Sequence, residues 1–129
     1  ASFDAIYCSH MLEHIPDDRK ALRELERTLA AAGWLLVQVP LDKDSPTKED
    51  FSVVDPKQRE REFGQWDHVR VYGMDIAERL AEAGFEVKIW TAEQILSARE
   101  LETMSIPADE TLLLCNKVAP SPSVATASA

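Results

Sequence analysis

Three histidines are the residues best suited to acid–base or metal chemistry, and two fall in one run, His10-Met11-Leu12-Glu13-His14. Histidine changes charge near neutral pH and has a lone pair when neutral, so it can move a proton or hold a metal. On a helix, the H-x-x-E-H spacing would put His10 and His14 one turn apart with a glutamate between them. That arrangement can bind zinc and activate water. The context opposes such a helix: a strand-like apolar run ends at Cys8, and Pro16 follows soon after His14. A third ligand would have to come from Glu24 or Glu26, so no metal site is expected. His68, Arg70 and Tyr72 form a second polar group, alternating along the chain just before a helix-like segment. Arg70 could hold an acidic group of a substrate and His68 could take a proton. The other reading of this group is a solvated strand edge with Tyr72 packed on the core.

The elements that would position these residues follow from periodicity. Residues 3–8 read as a buried strand. Asp17 is a good N-cap, and Ala21, Leu22, Leu25 and Leu29 recur at helical spacing, with Gly33 as the expected stop. Residues 34–39 are almost continuously apolar, the pattern of a strand buried on both faces, and Pro40 closes it. Strand, helix, strand implies an α/β layer architecture. Residues 41–67 are polar, long for a plain connection and carry Phe51, Phe63 and Trp66, which favours a partly ordered lid. Within it, residues 57–62 are mixed in sign and read as a solvated helical turn. A helix is expected over residues 74–83, a half-exposed strand over 85–90, a short helix over 92–101 behind the capping box of Thr91 and Gln94, and a last strand over 111–115 or on to Lys117. The last two strands are expected to pair antiparallel at the sheet edge.

Bulk composition narrows the partners. The chain has 129 residues, 45% hydrophobic and 29% charged, which suits one globular domain with a real core. Its formal net charge of −9 argues against non-specific nucleic-acid or anionic-membrane binding, because phosphates repel such a surface. The apolar runs are strand-sized, so no membrane span is expected. Cys8 and Cys115 lie far apart in apolar segments and read as buried thiols of a reducing, cytoplasmic compartment. Residues 119–129 contain only Ala, Pro, Ser, Val and Thr and read as a disordered tail beyond a domain of residues 1–118. The chain opens on Ala1 directly into a strand, so it is expected to begin inside a longer protein.

The segment Phe3-Asp4-Ala5-Ile6-Tyr7-Cys8-Ser9-His10-Met11-Leu12-Glu13-His14-Ile15-Pro16-Asp17-Asp18 resembles the fourth strand and following turn of class I S-adenosylmethionine-dependent methyltransferases, of the broad type 11 group. The likeness continues through Ala21-Leu22-Arg23-Glu24-Leu25, and through Ala31-Ala32-Gly33, which stands where the family has a Pro-Gly-Gly-like turn. Trp34 enters the fifth strand. His68-Val69-Arg70-Val71-Tyr72-Gly73, then Leu80 and Ala83-Gly84-Phe85, resemble the later helix and sixth strand.

This resemblance implies a partial Rossmann-like methyltransferase sheet, equivalent to strands four to seven, with flanking helices. It implies S-adenosyl-L-methionine as cofactor and methyl transfer to an acceptor expected to be a small molecule. Cys8, Ser9 and His10 stand at the carboxyl end of a strand, where open α/β sheets bind ligands. By resemblance they border the cofactor; alternatively Ser9 only caps a turn. His10 and His68 are the candidate catalytic bases. His14, Trp66, His68, Arg70 and Tyr72 are the candidate substrate residues, with His14 alternatively bracing the turn.

The family's Gly-rich cofactor loop and ribose-binding acid would precede Ala1. The four glycines here are not clustered and cannot form that loop. The chain is therefore expected to need the amino-terminal half of the same domain. Alone, it should bind the cofactor poorly and present its first strand as an exposed edge. The rival readings are a non-catalytic α/β module that binds a partner and, less favoured, a zinc peptidase with the inverted H-x-x-E-H motif.

Overall fold

A computed structural model describes residues 2–118; the expected tail at 119–129 lies outside the described residues. Four strands form the main sheet: β1 (Phe3–Ser9), β2 (Leu29–Gln38), β6 (Phe85–Thr91) and β7 (Thr111–Lys117), in the order β1-β2-β7-β6. β1 and β2 are parallel, and β7 runs antiparallel to both β2 and β6. The expected α/β class and the antiparallel pairing of the last two strands are both present. A smaller sheet takes β5 (Arg70–Gly73) between β3 (Leu41–Asp42) and β4 (Lys48–Glu49). The short β3 and β4 and the helix α2 (Pro56–Phe63) order part of the segment 41–67, and α2 covers the helical turn expected over residues 57–62.

The helix α1 (Asp18–Thr28) makes the crossover between the parallel strands. Asp17 caps it, accepting a hydrogen bond from the Lys20 amide at 3.0 Å. Its end differs from the expectation. Leu29 is not on the helix and Gly33 does not stop it: Leu29 has extended dihedrals and opens β2. Thr28 Oγ1 donates back to the Glu24 carbonyl at 2.8 Å, closing the last turn. Gly33 is needed for another reason. A Cβ there would stand 2.7 Å from the Asp4 carbonyl oxygen of β1 and 2.8 Å from Leu29 Cδ1. The strands meet across an irregularity, because Phe3 to Ala5 on β1 spans Leu29 to Trp34 on β2.

Burial corrects the reading of two strands. β1 is the exposed edge expected of the first strand, at an end of the sheet among the described residues, but it is not the buried strand expected over residues 3–8: Phe3 and Tyr7 are exposed and only Cys8 is buried. β2 buries one face, through Leu35 and Val37, while Trp34 on the other face is exposed. The single helix expected over residues 92–101 is two short ones, α4 (Ala92–Ile95) and α5 (Ala98–Thr103). The Thr91 amide donates to Gln94 Oε1 at 2.8 Å at the start of the first, and a full capping box, Ser97 with Glu100, starts the other. The helix α3 (Ile76–Glu82) is shorter than expected at its start. The core joins Leu22 of α1, Leu35 and Val37 of β2, Tyr72 of β5, Ile76 and Leu80 of α3, Phe85 of β6 and Leu113 and Cys115 of β7.

A buried ionic cluster fastens the turn after β1 to the rest. Arg70 is fully buried. Its Nη1 donates to the carbonyls of Leu12 (2.6 Å) and Ile15 (2.5 Å), and its Nη2 to that of Pro16 (2.8 Å). Its Nε donates to Glu49 Oε1 at 2.7 Å. Asp18, at the start of α1, accepts from the Tyr72 hydroxyl at 2.5 Å and from Arg79 Nη1 at 2.6 Å. Burial opposes ionisation of Asp18, but the hydrogen bonds from Tyr72 and Arg79 and the charges of Arg70 and Arg79 outweigh it and hold the carboxyl below its usual value. The Tyr72 phenol is pushed well up, by burial first and then by its bond to Asp18. His68, Arg70 and Tyr72 are therefore not a solvated edge: all three point inward.

Two predictions follow from this packing. Asp18→Asn leaves two arginines short of a buried counter-charge and should cost about 3–5 kcal/mol in chemical denaturation. Because the native carboxyl titrates below its ordinary 3.8, its contribution is complete above that value and disappears as pH falls through the lowered one. The Asn variant should therefore lose less stability than the parent on acidification through that window; equal losses would contradict the assignment. Gly73→Ala would drive a Cβ into the Ser45 carbonyl oxygen and to 2.8 Å from Pro46 C, and should destabilise by about 1–3 kcal/mol. An unchanged denaturation midpoint would show that the 45–46 backbone yields freely.

Candidate functional site

The carboxyl ends of β1 and β2 lie side by side, and the chain turns sharply there. His10 leaves β1 in the left-handed region, φ 52°, with its amide bonded to the Gln38 carbonyl at 2.8 Å. A non-glycine residue rarely adopts that conformation, so the turn is held by its surroundings. The exposed His10 side chain borders two clefts. One, of about 430 Å³, is lined by His10, Gln38, Ile95, Leu96, Ile106 and Leu112 among others. The second, of about 320 Å³, lies toward Pro40, Lys43, Asp109 and Glu110. The first is mostly apolar with a few polar groups at its rim, the usual make-up of a small-molecule pocket.

Gln38 organises that rim. Its Oε1 accepts from the Tyr7 hydroxyl at 2.7 Å and from Ser9 Oγ at 3.4 Å, and its Nε2 donates to Glu110 Oε1 at 2.8 Å. Sequence reasoning did not single out Gln38 or Glu110. The available signal was slight: Gln38 is the one polar side chain in the apolar run 34–39. Ser9 is partly buried and reaches this rim only through its bond to Gln38. Cys8 points to the core, its thiol pushed up by burial and then by the charge of Glu13. Cys115 is pushed up to about 12 by burial. Both cysteines are free, buried and poorly nucleophilic.

The other candidates form two further groups. His14, at the end of the one-turn 3-10 helix η1 (Leu12–His14), meets His68 edge to face with ring centroids 4.6 Å apart. His14 Nδ1 lies 3.2 Å from Asp67 Oδ2. Glu13, buried between these histidines and His10, has an oxygen 3.7 Å from His10 Nδ1. The H-x-x-E-H run is thus not the helix a zinc peptidase requires, since His10 is in a left-handed turn and only three residues follow in η1. Arg70 and Tyr72 stand apart, in the buried cluster under the turn. Trp66 is largely exposed. The structure brings His10 to the clefts, leaves Ser9 bonded to Gln38 behind them, joins His14 to His68, and separates Arg70 and Tyr72 from both.

Comparison with known proteins agrees with this architecture. The sequence family described as "Methyltransferase domain" matches residues 1–88. No curated protein sequence matches the chain. Solved structures do. The [4+2]-cyclase SpnF is 17% identical over 92% of this chain and 52% of its own, with a TM-score of 0.56. An S-adenosylmethionine-dependent methyltransferase from Mesorhizobium loti is 17% identical over 90% of this chain and 62% of its own, TM-score 0.55. PigF, solved with SAH, is 19% identical over 89% of this chain and 34% of its own, TM-score 0.57. At such identities the likeness is one of fold, and the chain spans between about one third and two thirds of these proteins. Among the described residues, no helix is long and apolar enough to cross a membrane. With a family match over 88 of its 129 residues, the chain belongs to the methyltransferase-domain family.

Proposed function

We propose that this chain supplies the acceptor-facing half of a class I methyltransferase that uses S-adenosyl-L-methionine. The observation that carries the reading is His10, held in a left-handed turn at the carboxyl end of β1 with its side chain at the mouth of two clefts. In open α/β sheets, ligands bind outside this end of the strands. The sulfonium of the cofactor already activates its methyl group, so the protein's task is alignment, exclusion of water and, for a protic acceptor, removal of one proton. Ser9 and His10 border the methionine portion of the cofactor. The apolar cleft beyond His10 suits a small organic acceptor, and the formal net charge of −9 disfavours a polyanionic one.

His10 is the base we assign, because it is exposed at the cleft. His68 is buried against His14 and acts as a positioning residue. His14 stays with this group, and Trp66 is free to wall the acceptor side, with residues 41–67 as its lid. Arg70 and Tyr72, expected as substrate contacts, are reassigned to holding the turn, since their polar atoms are bonded within the fold. The cofactor loop that this chain lacks belongs to the amino-terminal half of such a domain.

Calorimetry of the intact protein with S-adenosylhomocysteine tests the reading. Saturable binding is expected, weakened about tenfold or more by His10→Ala, which corresponds to about 1.4 kcal/mol. No binding by the intact protein would sink the proposal. An unchanged affinity in the variant would remove His10 from the cofactor site.

A further inference from the structure

Glu13 is almost completely buried, with 2% of its surface exposed. Among the described residues, neither of its carboxylate oxygens has a hydrogen-bond partner. The nearest cationic candidate, His10 Nδ1, is 3.7 Å away, beyond hydrogen-bond distance. A buried, uncompensated carboxylate is costly, and a bound cation is one of the few ways to offset it. The groups around it are metal ligands. One donor atom each from Glu13, His14 and His68 lie within 4.8 Å of one another. Metal–ligand bonds of about 2.0–2.2 Å at tetrahedral angles set donors about 3.4 Å apart, so closing on an ion asks each donor to move inward by roughly 1 Å or less.

The surroundings point the same way. His14 Nδ1 is 3.2 Å from Asp67 Oδ2, a contact of the kind by which a carboxylate orients a metal-binding imidazole. Asp67 Oδ1 is also buried without a partner. The Val69 amide donates to the Glu13 carbonyl at 2.9 Å, tying the segment of His68 to the turn of Glu13 and His14. Arg70 fixes the carbonyls on either side of that pair. The donors are therefore brought together by the fold and not by chance rotamers of an open surface. The objection to metal drawn from the sequence concerned His10 and His14 on one helix; the structure instead recruits His68 from 54 residues away.

We propose that Glu13, His14 and His68 form a binding site for a divalent first-row transition cation, with two imidazoles and one carboxylate as protein ligands. Imidazole donors favour zinc, iron, nickel or copper over magnesium and calcium, which prefer all-oxygen shells. Three protein donors leave coordination positions open to water or an oxygen-bearing ligand. The site does not depend on methyl transfer.

The test is to strip the intact protein of metal and titrate it with Co²⁺, reading the visible d–d bands, then to compete with Zn²⁺. One equivalent per chain is expected. Glu13→Gln keeps the side-chain volume and should weaken binding about 100-fold, as should His68→Ala. Asp67→Asn, which touches no metal, should weaken it about 10–100-fold. Circular dichroism identifies variants that fold, and Glu13→Gln covers the case in which His68→Ala does not. Zn²⁺ should raise the melting temperature of the parent and not that of Glu13→Gln. The proposal is overturned if the folded parent binds no stoichiometric Co²⁺, if Glu13→Gln leaves the affinity unchanged, or if binding needs His10 and not His68.

Discussion

The Arg70 guanidinium is the constraint on which the functional end of the molecule depends. It enters from the middle strand of the small sheet and takes hold of three carbonyls in the turn after β1, those of Leu12, Ile15 and Pro16. Those carbonyls come from a 3-10 turn and its exit, where few regular backbone partners exist. A planar fork with fixed donors can satisfy several acceptors at once, which a lysine could not. The counter-charges come from Glu49 of β4 and Asp18 of α1, and Asp18 in turn binds Tyr72 and Arg79. Five elements therefore converge on one buried charge. Such a cluster contributes little net stability when compared with apolar packing, but it specifies position strongly, because any slip leaves a buried charge unpaired.

That constraint explains what was legible in the sequence and what was not. The α/β class, the crossover helix with its Asp17 cap and the four strands of the main sheet follow from local periodicity and turn chemistry, and the last pair is antiparallel as expected. The misreadings concern tertiary contacts. Gly33 looked like a helix stop because glycine commonly is one, whereas it lies in β2 against the Asp4 carbonyl. The alternation of His68, Arg70 and Tyr72 left two readings, a substrate-facing group and a solvated edge, because charged residues are usually outside. Here the charges face inward, toward a turn more than fifty residues earlier in the chain. Periodicity reports which residues share a face and cannot report that the face is polar and buried.

The same limit applies to the site. His10 was readable from its place after a strand, since the carboxyl end of a parallel strand is a recurrent binding position. Gln38 was not, because its partners Tyr7, Ser9 and Glu110 come from three separate segments. Family membership does not select the reaction either. SpnF, named as a [4+2]-cyclase, shares the fold with proteins named as methyltransferases. Function on this scaffold is decided by what stands around the carboxyl ends of the strands, so the side chains at His10 and along the cleft carry more information than the sheet.

Two buried ionic systems stand side by side under this turn, and their contrast is instructive. In one, Arg70 and Arg79 meet Asp18 and Glu49, and each charge has a partner of opposite sign. In the other, Glu13 is as deeply buried but has no hydrogen-bond donor among the described residues. Both involve the same few residues of backbone, for Leu12 carries a carbonyl bound by Arg70 and Glu13 is its neighbour in η1. The satisfied cluster fixes the backbone, and the fixed backbone prevents Glu13 from turning out to water. A carboxylate held inward in this way, with two imidazoles beside it, is costly unless a cation completes it. The rigidity supplied by Arg70 is thus what converts an isolated buried acid into a preorganised ligand.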